Sequence, residues 1–117
     1  MATSEKTMTK LKELVADYLI HVSEYPTHRD GSYNPIKAFA TITLDVEVLG
    51  NIKINNISIE QPDEKEPNDL LVKFPGKFNA KRDEVFENIV FQDRRIREGL
   101  TDLIIGYYNA ALDDLEK

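Results

Sequence analysis

At 117 residues, with 41% hydrophobic and 31% charged residues, the chain suits one soluble domain that can bury a core without staples. A formal net charge of −6 excludes a protein that grips polyanions over its whole surface, so any nucleic-acid contact must be a local patch. The absence of cysteine excludes disulfides and thiolate metal sites and fits a cytoplasmic setting, and no apolar run reaches the roughly 18 residues that span a bilayer.

Residues 1–13, opening MATSEKTMTK, lack the apolar stretch of a signal peptide and read as a polar N-terminal tail before a single domain, 14–117. In "LVADYLIHVSEY" (14–25), Tyr18, Ile20 and Val22 alternate with Leu19, His21 and Ser23. That predicts a strand, with a helical opening around Lys10–Ala16 as an alternative. "PTHRDGSYNP" (26–35) holds the residues of a loop. "KAFATITLDVEV" (37–48) alternates most cleanly. Ala38, Ala40, Ile42, Leu44, Val46 and Val48 share one face; Lys37, Thr41, Thr43, Asp45 and Glu47 share the other. This is the pattern of a half-buried strand.

Gly50-Asn51 supplies a hairpin turn, and "IKINNISIE" (52–60) returns. Its phase changes, because Ile52 and Ile54 take one parity and Ile57 and Ile59 the other. A β-bulge is therefore expected near Asn55-Asn56. "QPDEKEPND" (61–69) is a polar loop, "LLVKF" (70–74) a short strand closed by Pro75-Gly76, and "VFENIVF" (85–91) a further strand. From Asp93 the period becomes helical: Ile96, Leu100, Leu103, Ile104, Tyr107, Ala111 and Leu115 form one stripe, with Asp93 as N-cap. The expected class is α+β, an antiparallel sheet of about five strands followed by one long C-terminal helix.

Charge is segregated along this layout. Residues 70–97 sum to +3, which leaves −9 for the remainder. Apart from Lys73, the cations fall in the loop "FPGKFNAKRDE" (74–84), as Lys77, Lys81 and Arg82, and at the start of the helix, as Arg94, Arg95 and Arg97. Cations at a helix N-terminus oppose the macrodipole, yet they deepen an anion site there. These six residues are the candidate nucleic-acid-binding set, and solvated charges balanced by neighbouring acids are the competing account. Phe78 beside them has the ring needed to stack on a base, although packing on the core or at a dimer contact is the commoner use. Gly99, Gly106 and Ala110 form a small-residue strip. It suits either close helix approach across a dimer axis or tolerated surface glycines.

Nothing catalytic assembles. His21 and His28 are the two histidines, "HRD" (28–30) lacks the other parts of a kinase, and no phosphate loop or calcium loop occurs. The chain reads as no enzyme, with no cofactor and no metal.

"KAFATITLD" (37–45), the returning Ile-rich strand, "LLVKFPGK" (70–77) and a helix of form R-x-x-L-x-D-x-I-I-x-x-Y (Arg97, Leu100, Asp102, Ile104, Ile105, Tyr108) occur in this order. Together, over residues 16 to 112, they resemble the SpoVG family, the stage V sporulation or septation proteins G of bacteria. The resemblance implies a homodimeric α+β protein acting as a cytoplasmic regulator linked to sporulation, septum formation and gene regulation. It also implies binding to nucleic acid, DNA or RNA, without involvement of a membrane. Lys77 matches the family's loop lysine and Arg97 its helix arginine. The chain is divergent: Phe78 stands where relatives carry a second cation, Phe86-Glu87-Asn88 replaces a Phe-Arg-Asp step, and loop 61–69 is longer and more acidic. A protein-interaction adaptor on the same fold, without nucleic-acid affinity, is the alternative.

Overall fold

The alternating stretch in the first half of the sequence sets the architecture. The computed structural model describes residues 5–46, 50–79, 81, 84–87, 89 and 91–115. Its elements are α1 (Glu5–Leu14), β1 (Val15–Val22), β2 (Ile36–Val46), β3 (Gly50–Glu60), β4 (Leu71–Lys73), β5 (Gly76–Asn79), β6 (Glu84–Glu87) and α2 (Arg94–Leu115). Strands β1 to β4 form one antiparallel four-stranded sheet in sequence order, and β5 and β6 pair separately as a hairpin. The fold is α+β, and the main sheet has four strands where about five were expected.

On β2, Ala38, Ala40, Ile42 and Leu44 are buried while Phe39 and Asp45 are exposed, which follows the alternation. Register places Tyr18, Ile20 and Val22 of β1 opposite Ile42, Ala40 and Ala38, and Ile54, Ile57 and Ile59 of β3 opposite the same three residues. One face of the sheet is thereby apolar. It joins Val72, Phe74 and the α2 residues Leu100, Leu103, Ile104 and Tyr108 in a single core. Ala38 and Ala40, in the middle of β2, take part in this core between the isoleucines of the neighbouring strands. The other face, with Leu19, His21, Phe39, Thr41, Thr43 and Lys53, carries no helix among the described residues.

The bulge lies where the phase change requires it. Ala40 pairs with Ile57 but Ile42 with Ile54, so β3 spends one extra residue, and Asn56 sits at φ 61°. Asparagine tolerates this left-handed conformation and a β-branched residue does not. Asn56→Val is expected to cost about 1–2 kcal/mol in a urea titration, whereas Asn56→Gly leaves the midpoint nearly unchanged.

Three expectations need correction. The stretch read as a tail over 1–13 is helical from Glu5 to Leu14, and Leu11 is buried in the core at 3% exposure. Met8, Leu11 and Leu14 form a stripe thin enough to be overlooked, and α1 docks it beside α2. Gly50-Asn51 is not the turn itself. Gly50, at φ 78°, already pairs with Val46 and Asn51 with Asp45, so the connection falls at 47–49, outside the described residues. Of the strand expected over 85–91, the described part is Glu84–Glu87, with residues 88 and 90 outside the described residues, and its partner is Gly76–Asn79 rather than the main sheet.

Candidate nucleic-acid interface

The first turn of α2 is built around Asp93. Its Oδ1 accepts the Arg95 backbone N–H at 2.9 Å, and its carbonyl accepts the Ile96 N–H at 3.1 Å, which makes it the N-cap. The Arg95 guanidinium folds back on the same carboxylate, with Nε 3.2 Å from Oδ1 and Nη2 3.1 Å from Oδ2. The Arg95 side chain, then its backbone N–H, hold the Asp93 carboxyl below its ordinary range, and the same contact raises the Arg95 guanidinium. Arg94 Nε lies 3.1 Å from Glu98 Oε1 one turn on.

Both arginine side chains remain open to solvent, 90% exposed for Arg94 and 82% for Arg95. Ion pairs this exposed add little, so a phosphate can compete for either guanidinium. The helix itself has no acid in its first turn. Arg97 is half-buried, with its guanidinium carbon 5.3 Å from the centroid of the Phe74 ring.

Phe74 links the two basic stretches. It is 2% exposed, follows β4 directly and lies two residues before the hairpin, while Phe91, on the other side of the hairpin, meets it edge-on at 5.3 Å. The foot of the β5–β6 hairpin is thus clamped by two rings, and Arg97 lies over one of them. Within the hairpin Lys77 pairs in register with Phe86, and Lys81 is exposed in the connection. Arg82 and the side chains of Lys77 and Phe78 lie outside the described residues. Lys73 belongs elsewhere, since its Nζ sits 3.3 Å from Glu60 Oε1 across the β3–β4 pair.

Lys10 is the cation that the sequence did not disclose. It lines a groove of about 430 Å³ between α1 and the start of α2, together with Thr7, Leu11, Leu14, Asp93, Arg95 and Ile96. The three-residue spacing of Met8, Leu11 and Leu14 was the available signal, since it implies a helix that carries Lys10 along.

The other polar clusters are structural. Asp30 of "HRD" accepts both the backbone N–H and the hydroxyl of Ser32, at 2.9 and 2.6 Å. These bonds hold its carboxyl below the ordinary range. Gly31, at φ 86°, completes that turn. His21 and His28 are exposed, and no group of three metal-ligating side chains gathers among the described residues. No helix among them is long and apolar enough to cross a membrane. Comparison of the chain with protein-family models, curated proteins and solved structures finds no match.

Proposed function

We propose that this chain is a divergent regulator of the SpoVG type, a cytoplasmic homodimer that binds DNA, or RNA, in sporulation, septum formation and the control of gene expression. One observation carries the reading. The N-terminal turn of α2 presents Arg94 and Arg95 to solvent with no acid in that turn, and Arg97 ties the turn to the foot of the basic hairpin through Phe74. Local stability alone would favour acids at that end of a helix. The sequence phrases that resemble the family add support, and so does the segregated charge.

The mechanism is electrostatic. Phosphate oxygens replace Asp93 and Glu98 as partners of the exposed guanidinium groups, aided by the positive end of the helix macrodipole. Each phosphate neutralised releases condensed counterions, so affinity falls with salt. Lys77, Lys81 and Arg82, close by in the sequence, add to this cationic set. Contacts of this kind position the duplex and carry little sequence information.

The test is a titration of labelled duplex and single-stranded DNA at several salt concentrations. Binding is expected, with a steep negative dependence of log K on log salt. No binding at low salt would overturn the reading and leave the protein-interaction adaptor.

A further inference from the structure

Strand β1 is a sheet edge. It pairs with β2 on one side and with no strand among the described residues on the other. The Ser23 N–H donates to the Lys37 carbonyl at 2.8 Å, which sets the alternation along the pair. Residues 17, 19 and 21 turn their backbone groups toward β2, and Tyr18, Ile20 and Val22 turn theirs outward. The outward N–H of Tyr18 is taken instead by Asp17 Oδ1 at 2.8 Å. A register shift between Val15 and Asp17 ends the regular edge, so the stretch free to pair begins at Asp17.

The surroundings of this edge are apolar and acidic. Leu19 is 69% exposed on the open face. On the helix side a groove of about 530 Å³ is lined by Ile20, Val22, Ala111 and Leu115, with Glu24 and Asp114 at its end. Leu115 is also 69% exposed, and the last turn of α2 holds Asp113 and Asp114 with no base, the arrangement a helix C-terminus disfavours. A long edge with exposed apolar side chains is a surface that proteins normally cover.

We propose that the cover is β1 of a second copy of this chain, lying antiparallel about a two-fold axis at Leu19. The side chains select this register. Leu19 then faces Leu19 of the second copy, and Asp17 of each copy faces His21 of the other, so the carboxylate accepts a hydrogen bond from the imidazole. Tyr18 and Ile20 exchange backbone hydrogen bonds with Ile20 and Tyr18 of the second copy. The Tyr18 N–H passes to the Ile20 carbonyl, and Asp17 is released to His21. An axis at Ile20 would set Asp17 against Ser23, and one at Tyr18 would set it against Leu19, leaving the acid without a basic partner in both.

Beyond Asp17 of the second copy, which faces His21, the chain passes its register shift and leads back into α1 on the Glu24 side of the edge. The end of α1 with Lys10 and Lys12 is thereby brought toward Glu24, Asp113 and Asp114, supplying the cations that the end of α2 lacks. The two sheets become one continuous sheet with both grooves covered. This inference rests on the dimeric part of the functional reading and is independent of nucleic-acid contact.

Light scattering and sedimentation equilibrium on the full chain test it. Wild type is expected to be a dimer at micromolar concentration. Leu19→Glu and His21→Asp change exposed side chains, so the circular dichroism spectrum should be retained while the dimer dissociation constant rises about tenfold or more. Asp17→Lys combined with His21→Asp re-creates opposite charges across the axis and should restore the dimer.

A monomeric wild type would overturn both the dimer and this surface. A dimer indifferent to both single variants, or not rescued by the pair, would overturn the Leu19 register while leaving the dimer. DNA titration of the same samples separates the readings, since a wild-type dimer without DNA affinity refutes nucleic-acid binding and leaves β1 pairing intact.

Discussion

Ile104→Ala is expected to remove about 2–5 kcal/mol of stability, measured as a fall in the urea midpoint at unchanged slope. Ile104 is 0% exposed on α2, and it belongs to the same core as Ala38, Ala40, Ile42, Ile57 and Ile59. Truncation loses the transfer energy of the removed atoms and leaves a cavity. The neighbouring alanines are too small to fill that space, so the cost should fall in the upper half of the range. Domains of this size hold roughly 5–15 kcal/mol in total, so a measurable fraction of the variant should unfold near body temperature. Gly106→Ala on the same helix makes a useful control. An added Cβ meets nothing within 4 Å there, and a gain of about 1 kcal/mol or less is expected from helix propensity.

The core was legible because its periodicities are local. The β2 alternation, the phase change across Asn55-Asn56 and the α2 stripe each follow from a few neighbouring residues, and the structure keeps all three, down to the extra residue on β3. The stripe was imperfect at its end, where Leu115 is exposed, and within it, where Tyr108 is more buried than Tyr107. Tyr107 stacks instead on Tyr18 of β1 with ring centroids 3.8 Å apart, a contact between residues distant in sequence.

What was not legible depended on tertiary partners. Helix α1 has one fully buried residue, Leu11, so its pattern alone could not distinguish a docked helix from a polar tail. The hairpin β5–β6 was obscured for a related reason. "GKFN" has no alternation, and Pro75-Gly76 signals the end of one strand as readily as the approach to the next. The candidate site inherits this division. Arg94, Arg95 and Arg97 were placed correctly by the helix period and the Asp93 cap, whereas Lys10 required the fold.

The triple change Arg94, Arg95 and Arg97→Ala is expected to separate nucleic-acid affinity from stability. For duplex DNA each phosphate neutralised contributes about −0.9 to the salt slope, so losing three contacts per chain should flatten it by up to about 2.7. Single strands should show less, near 0.7 per contact. Arg94 and Arg95 should contribute almost nothing to the change in stability, because their ion pairs are exposed and they sit at the end of the macrodipole that disfavours cations, so any loss in the triple variant should be that of Arg97.

Arg97 is the exception within the set. It covers the Phe74 ring, and its loss alone should loosen the hairpin foot as well as remove a charge. Arg97→Lys, which keeps the charge but not the planar stacking group, should hold the salt slope near wild type and lower the melting temperature slightly. A slope unchanged by the triple variant would mean that the phosphates lie elsewhere. A melting temperature unchanged by Arg97→Ala would mean that the ring contact does not brace the hairpin.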